Sequence, residues 1–333
     1  MGGLPQGVRL LEDSAFVTER VIGPLASAGR VGGSGAYTLR FVDTADVTKV
    51  TAECRLQDGD TLFVKVYSGE EDDANCHAVM SALWQAGFSD PASYRIPEPL
   101  AYLPEHRILV MREARGVTLF DELRAGHGSG AGAGDEGVRQ AARWLAHLHT
   151  STVRVGLPWT VWRNLARLSR RLTRAAAANP DWVVRLNGML QRLFDLAEQA
   201  ERPSRLVQTH GQFRDVHVYL DGETATVIDL DRSRPADPAR DVDEFLHRLR
   251  WKNFKYSSTC PEALTDVFLE EYTAHVPLGQ LTNLTFYAAA HALSSLARYL
   301  RKREPDDKGW KGAVAFHGGE FETALAGRFG RWS

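Results

Sequence analysis

Between residues 209 and 246 the chain gathers side chains that handle protons, metals and phosphates. His210, Gln212, Asp215 and His217 lie in a polar stretch between two short apolar runs. The second run, Ala225-Thr226-Val227-Ile228, leads into Asp229 and Asp231. Side chains two positions apart in a strand share a face, so this spacing predicts two carboxylates delivered to one edge of the fold. Oxygen donors paired in this way suit a hard divalent cation. Asp231 has a second reading, as a turn cap. Asp241 follows at the start of a helical pattern, where a carboxylate suits the positive end of the helix dipole.

The elements that must carry these residues are legible upstream and downstream. Residues 46–56 alternate, Asp58-Gly59 is a turn signal and 61–67 alternate again, which predicts a β-hairpin. Val79, Met80, Leu83 and Trp84 are spaced as on one face of a helix over 75–86. Residues 98–103 and 107–112 read as a second strand pair. Glycines crowd 125–137, which predicts a flexible loop. Beyond it the pattern turns helical, over 137–150, 160–176, 181–202, 239–253, 261–275 and 280–302, with one small hairpin inside 205–231. The expectation is an α+β chain with a strand-rich first lobe over about 115 residues and a helical second one.

The combination resembles a known family. His210-Gly211, Phe213, Ile228-Asp229-Leu230-Asp231 and Asp237-Pro238-x-x-Asp241-Val242 occur in the order found in the catalytic and metal loops of aminoglycoside-phosphotransferase-like kinases. Phe63-Val64-Lys65-Val66-Tyr67 is similar to the family's nucleotide-binding strand, 107–116 to its interlobe hinge and 138–149 to its Leu-x-x-Leu-His helix. The resemblance spans residues 45–250. It implies a protein-kinase-like two-lobed fold: a β-rich N-lobe over 1–115 with its hinge at 111–116, and a larger, mostly helical C-lobe over 117–333. The C-lobe would carry the catalytic-like loop 209–231 and the acceptor-binding helices. It further implies ATP or GTP with Mg2+ or Mn2+, Lys65 on the phosphates, and Met111 and Glu113 at the nucleotide. Asp229 would hold metal, with His217 and Asp231 assisting, while His210 and Asp241 brace the loop. The implied reaction is phosphoryl transfer to a hydroxyl of a small molecule or peptide.

Three positions depart from the family pattern. Gln212 replaces the catalytic aspartate, His217 the metal-binding asparagine, and Cys76 or His77 the helical glutamate that pairs with the lysine. The acidic run Glu70–Asp73 lies too early unless the helix is shifted. Glutamine orients a hydroxyl but accepts no proton at neutral pH, and general-base assistance is worth about 10²–10⁴ in rate. Asp215, three residues on, is a carboxylate that would replace it. Imidazole at 217 favours manganese or zinc over magnesium; alternatively His217 contacts phosphate or substrate directly. Three functional readings follow: a phosphotransferase with an atypical site, a pseudokinase that binds nucleotide or peptide as a scaffold, or a nucleotidyl transferase. Trp251 and Lys252, with Arg298 and Arg301, would line an anionic acceptor pocket or form a solvated helical face.

Composition narrows the partners. With 40 basic and 42 acidic residues and a net charge of -2, no electrostatic footprint for nucleic acid or an anionic membrane is present. The opening residues lack the basic and apolar regions of a secretory leader. Cys54, Cys76 and Cys260 show no metal-type spacing, so a reducing cytoplasm is the expected location.

Overall fold

Strands rich in Val, Thr, Phe and Tyr form the predicted hairpin, since branched and aromatic side chains pack well on a pleated surface. The computed structural model describes residues 6–33, 36–43, 48–69, 73–125, 134–200, 206–256, 263–301 and 308–327. Strands β2 (Lys49–Leu56) and β3 (Thr61–Tyr67) pair antiparallel, with Lys49 opposite Tyr67 and Thr51 opposite Lys65. They sit in a five-stranded sheet of order β1-β2-β3-β6-β5, completed by β1 (Tyr37–Asp43), β5 (Pro99–Leu103) and β6 (Ile108–Arg112).

Three short helices precede the sheet: α1 (Gln6–Glu12), α2 (Ser14–Phe16) and α3 (Gly23–Ser27), with a π-helical turn over Val17–Ile22. These helices lie before the first element expected from the sequence. Val17, Val21 and Leu25 recur every four residues, which is helical spacing. All three join Val64, Val66, Ile108 and Val110 in the buried core of the sheet. Helix α4 (Asp73–Gln85) turns Val79, Met80 and Leu83 inward, as predicted.

The chain divides into two compact units, Met1–Gly116 with Tyr219–Arg232 and Val117–Val218 with Ser233–Ser333. The boundary differs from one drawn in chain order. Strand β10 (Thr224–Val227) pairs in parallel with β4 (Tyr94–Arg95) and neighbours β9 (Val218–Asp221), so backbone hydrogen bonds take this segment into the first unit. Gly116 closes the first stretch of that unit at φ 98°, where an added Cβ would stand 2.0 Å from the Leu220 carbonyl oxygen. Only glycine meets both conditions.

The second unit is helical. It begins with β7 (Val117–Thr118) and α5 (Leu119–Ala125). Residues 126–133, the centre of the predicted loop, lie outside the described residues, and 134–137 already belong to the turn and start of α6 (Asp135–Thr150). Helices α7 (Val161–Ala178) and α8 (Val183–Gln199) follow. Strands β8 (Val207–Thr209) and β11 (Arg234–Ala236) pair antiparallel. Helices α9 (Ala239–Tyr256), α10 (Ala263–Thr273), α11 (Leu284–Leu300) and α12 (Lys308–Leu325) complete the unit. Leu165, Leu168, Leu172 and Ala175 form the buried stripe of α7, and Trp144, Leu145 and Leu148 that of α6. The protein thus has the two-lobed α+β architecture expected. Among the described residues no helix is long and apolar enough to cross a membrane.

Candidate active site

The first unit holds a cluster of lysines and carboxylates. Residues opposite one another in an antiparallel pair share a face, as do residues two apart on one strand. Lys49, Lys65 and Tyr67 therefore project from the same face of the β2–β3 ribbon. Asp229 and Asp231 meet them, but not by strand alternation. Strand β10 ends at Val227, Asp229 takes a left-handed backbone conformation with φ 68°, and Leu230–Arg232 form a 3-10 turn. That conformation is uncommon for any residue but glycine and is best tolerated by Asp and Asn. The kink brings both carboxylates onto the lysines.

Lys65 Nζ lies 2.8 Å from Asp229 Oδ1 and 3.1 Å from Asp231 Oδ1. Lys49 Nζ lies 3.2 Å from Asp229 Oδ1 and 2.7 Å from Asp231 Oδ2. Tyr67 donates its hydroxyl to Asp231 Oδ1 at 2.8 Å, and the Cys76 thiol approaches the same oxygen at 3.4 Å. Burial pulls the Lys65 and Lys49 pKa values down, but the facing carboxylates outweigh it, so both ammonium groups are held charged above the usual lysine range. Burial, reinforced by Asp231, pushes the Tyr67 hydroxyl and Cys76 thiol well up. Both remain protonated and act as donors.

Cys76 of α4 occupies the place of the helical glutamate, and Asp231 pairs with Lys65 instead. Asp73, the described member of the acidic run, is committed elsewhere. It accepts from Arg107 Nη2 at 2.6 Å and Tyr102 Oη at 2.8 Å, while the His77 ring stacks on Tyr102 with centroids 4.8 Å apart. Met111, buried at the end of β6, pairs with Phe63, and the backbone N–H of exposed Glu113 donates to Thr61 O at 3.1 Å. Among the glycines before β1, Gly29, Gly32 and Gly33 fall in the turn after α3.

The second unit holds the loop that carries His210, Gln212, Asp215 and His217. Strand β8 delivers His210 and Gly211, whose backbone N–H groups both donate to Asp241, at 2.5 and 2.8 Å. Asp241, at the start of α9, also lies 3.3 Å from His149 Nε2, and His149 Nδ1 is 2.7 Å from the Tyr272 hydroxyl. Burial pushes the Asp241 carboxyl up, but the His149 hydrogen bond and the charges of His149, His210 and Arg240 outweigh it and lower its pKa. Phe213 locks the loop by stacking on Trp144, centroids 5.7 Å apart.

Within this braced loop His210 Nδ1 accepts from the Gln212 N–H at 3.3 Å, and its ring stacks on His217. His217 Nδ1 sits 3.0 Å from the Gln212 carbonyl. A carbonyl only accepts, so Nδ1 carries the hydrogen. The half-buried Gln212 carboxamide makes no hydrogen bond among the described residues. Asp215 stands differently. It is fully buried, its Oδ2 is ion-paired with the buried Lys252 of α9, and its Oδ1 has no hydrogen-bond partner among the described residues. The Lys252 ammonium also sits over the Phe120 ring, 3.6 Å from its centroid. Trp251, grouped with Lys252 in the sequence reading, stacks instead on His317 at 4.7 Å.

Among the described residues no three His, Cys, Asp or Glu side chains form a metal cluster by themselves. Two carboxylates nonetheless fit Mg2+, which binds through one or two of them and takes its remaining ligands from waters and substrate phosphates. Sequence reasoning missed Lys49, Tyr67 and the anchoring role of Asp231. Lys49 carries a readable signal, since the hairpin register alone sets it on the face of Lys65.

Comparison with known proteins bears on the family and the fold. The sequence model described as "Phosphotransferase enzyme family" matches residues 50–275. No curated protein is similar enough in sequence to register as a relative. Among solved structures, a choline/ethanolamine kinase family protein from Mesorhizobium loti is 16% identical, with TM-score 0.59 and coverage of 94% of this chain and 100% of that one. Choline kinase from Cryptosporidium parvum Iowa II is 11% identical, with TM-score 0.65 and coverage of 94% and 98%. An amicoumacin kinase in complex with AMP-PNP and Ca2+ is 11% identical, with TM-score 0.61 and coverage of 92% and 95%. At these identities the likeness is one of fold.

Proposed function

Because this chain belongs to the phosphotransferase enzyme family, we propose that it binds ATP or GTP with a divalent cation and transfers phosphate to a hydroxyl of a small molecule or peptide. One observation carries the reading. Lys65, on the strand that matches the family's nucleotide strand, is held charged beside Asp229 and Asp231. An ammonium beside a carboxylate pair gives phosphate oxygens a cation and a metal its hard ligands. The AMP-PNP and Ca2+ in the amicoumacin kinase complex support the same choice of ligands. Asp229 would hold the metal, assisted by His217 and Asp231, and when bound that ion would polarise the transferring phosphoryl group.

Gln212 would orient the acceptor hydroxyl through its carboxamide. Its proton would pass to an oxygen of the transferred phosphate or to water rather than to a carboxylate, because Asp215 is committed to Lys252. The fold then supplies positioning and charge stabilisation, the larger share of phosphoryl-transfer catalysis. The helices after residue 150 would form the acceptor pocket. The proposal places the reaction in the cytoplasm, with no nucleic-acid or membrane partner. The buried Asp215–Lys252 pair also favours a second reading, a pseudokinase that binds nucleotide or peptide without turnover.

Thermal shift with ATP and GTP, each with Mg2+ or Mn2+, tests the proposal, followed by intact-mass detection of modified acceptors. Ligand at 100 times its dissociation constant stabilises by about 2.7 kcal/mol, a shift of a few degrees for a chain of this length. The shift is expected in wild type and lost in Lys65→Ala and Asp229→Asn. Asn suits the last position because it keeps the left-handed backbone while removing charge. Mn2+ is expected to exceed Mg2+, with His217→Asn reversing the order; equal responses to the two ions would sink the metal role of His217. Binding without any mass gain selects the pseudokinase, and an added nucleotide in place of a phosphate selects nucleotidyl transfer.

A further inference from the structure

Lys49 is the one charged residue of the carboxylate cluster to which the family resemblance assigns no role. Its side chain is only 15% exposed. It bridges Asp229 and Asp231 from the strand opposite Tyr67, at the first residue of β2. Two carboxylates facing Lys65 alone would carry a net charge of about -1, a local field that draws in a divalent cation and repels polyphosphate. With Lys49 added, two ammonium groups balance two carboxylates, and the neutral donors Tyr67 and Cys76 complete the shell of Asp231.

Resting on the nucleotide reading above, we propose that Lys49 is a second polyphosphate-binding lysine, a fixed cation that takes over part of the work of divalent ions at this site. When a nucleotide enters, its phosphate oxygens compete with the carboxylates for the two ammonium groups. A lysine needs no coordination geometry, only proximity to negative charge. A site so furnished holds a nucleoside triphosphate with less dependence on metal than a site with one lysine. Asp231 remains the anchor that keeps both ammonium groups in place.

The test is isothermal titration of ATP into the full chain, in excess chelator and in Mg2+, for wild type, Lys49→Met, Lys49→Arg and Lys65→Met. Wild type is expected to retain binding in chelator. K49M should lose about ten- to a hundredfold there, the worth of one charge-assisted hydrogen bond, and less in Mg2+. K49R, which keeps the charge, should hold most of the affinity, and K65M should weaken binding in both media. Inorganic tripolyphosphate should displace ATP from wild type in chelator, since the site recognises the phosphates. Affinities of K49M equal to wild type in both media would overturn the proposal and leave the nucleotide reading standing. Strict metal dependence of wild type would overturn it too, and that arm decides even where K49M folds poorly. No response of wild type under any condition would remove the nucleotide reading and this proposal together.

Discussion

Asp215 and Asp231 are both carboxylates in the segment that drew attention first, and their surroundings separate them. Asp231 faces two lysines, a phenol and a thiol at hydrogen-bonding distance. Asp215 is buried against Lys252, with one oxygen left without a partner among the described residues. A carboxylate in that position contributes to folding through its cation, because removing one member of a buried pair strands the other charge. Lys252→Met is accordingly expected to cost about 3–5 kcal/mol in urea denaturation, and Asp215→Asn in the same chain to recover part of it. If Lys252→Met unfolds with wild-type stability, Asp215 is not held by that pair and its candidacy as a base revives. Sequence spacing could not have shown that Asp215 is paired, because Lys252 is 37 positions away from it.

At the scale of elements, α9, α11 and α12 meet through histidines rather than through an apolar seam alone. His247, His291 and His317 stack, with centroids 4.4 Å apart between 247 and 291 and 5.1 Å between 247 and 317. Both ring nitrogens of His247 and of His317 are buried without hydrogen-bond partners among the described residues. Burial, aided by the charges of Arg298 and His291, lowers the His317 pKa to about 3, against the opposing pull of Glu320. The unfolded chain therefore takes up a proton near the ordinary histidine value of about 6.5, whereas the folded chain resists it until far lower pH. Stability contributed by neutral His317 is complete above about 6.5 and lost progressively as pH falls toward 3, with a limiting slope of about 1.4 kcal/mol per pH unit. His317→Phe should flatten that slope in pH-dependent melting while leaving stability at pH 8 nearly unchanged, since no hydrogen bond is forfeited. An unchanged acid limb would exclude His317 as a source. The final helix, over Lys308–Leu325, was absent from the sequence reading. Gly309, Gly312, Gly318 and Gly319 depress its helical propensity, and packing against α11 supplies what propensity does not.

For the whole molecule, the near balance of 40 basic and 42 acidic residues limits what the surface can attract. Polyanion binding draws on counterion release in proportion to the phosphates neutralised, so the chain should pass through immobilised heparin or DNA at physiological salt. Retention with a steep salt dependence would reveal a basic face that the total charge conceals. The amino-acid sequence by itself determined the two-lobed α+β architecture, the longer strands and helices from 49 to 300 but not β4, β7 or α5, and membership in the phosphotransferase enzyme family. Those properties follow from local periodicity and from motif fragments spaced within one short stretch, and both survive without knowledge of the fold. Only the tertiary structure decided which lysines face which carboxylates, that Asp231 pairs with Lys65, and that Asp215 pairs with Lys252. It also decided that residues 219–232 join the first unit. Each of these depends on strand register, on a left-handed backbone turn at Asp229 or on partners far apart along the chain, and such pairings are selected by burial and charge in three dimensions rather than by neighbours in sequence.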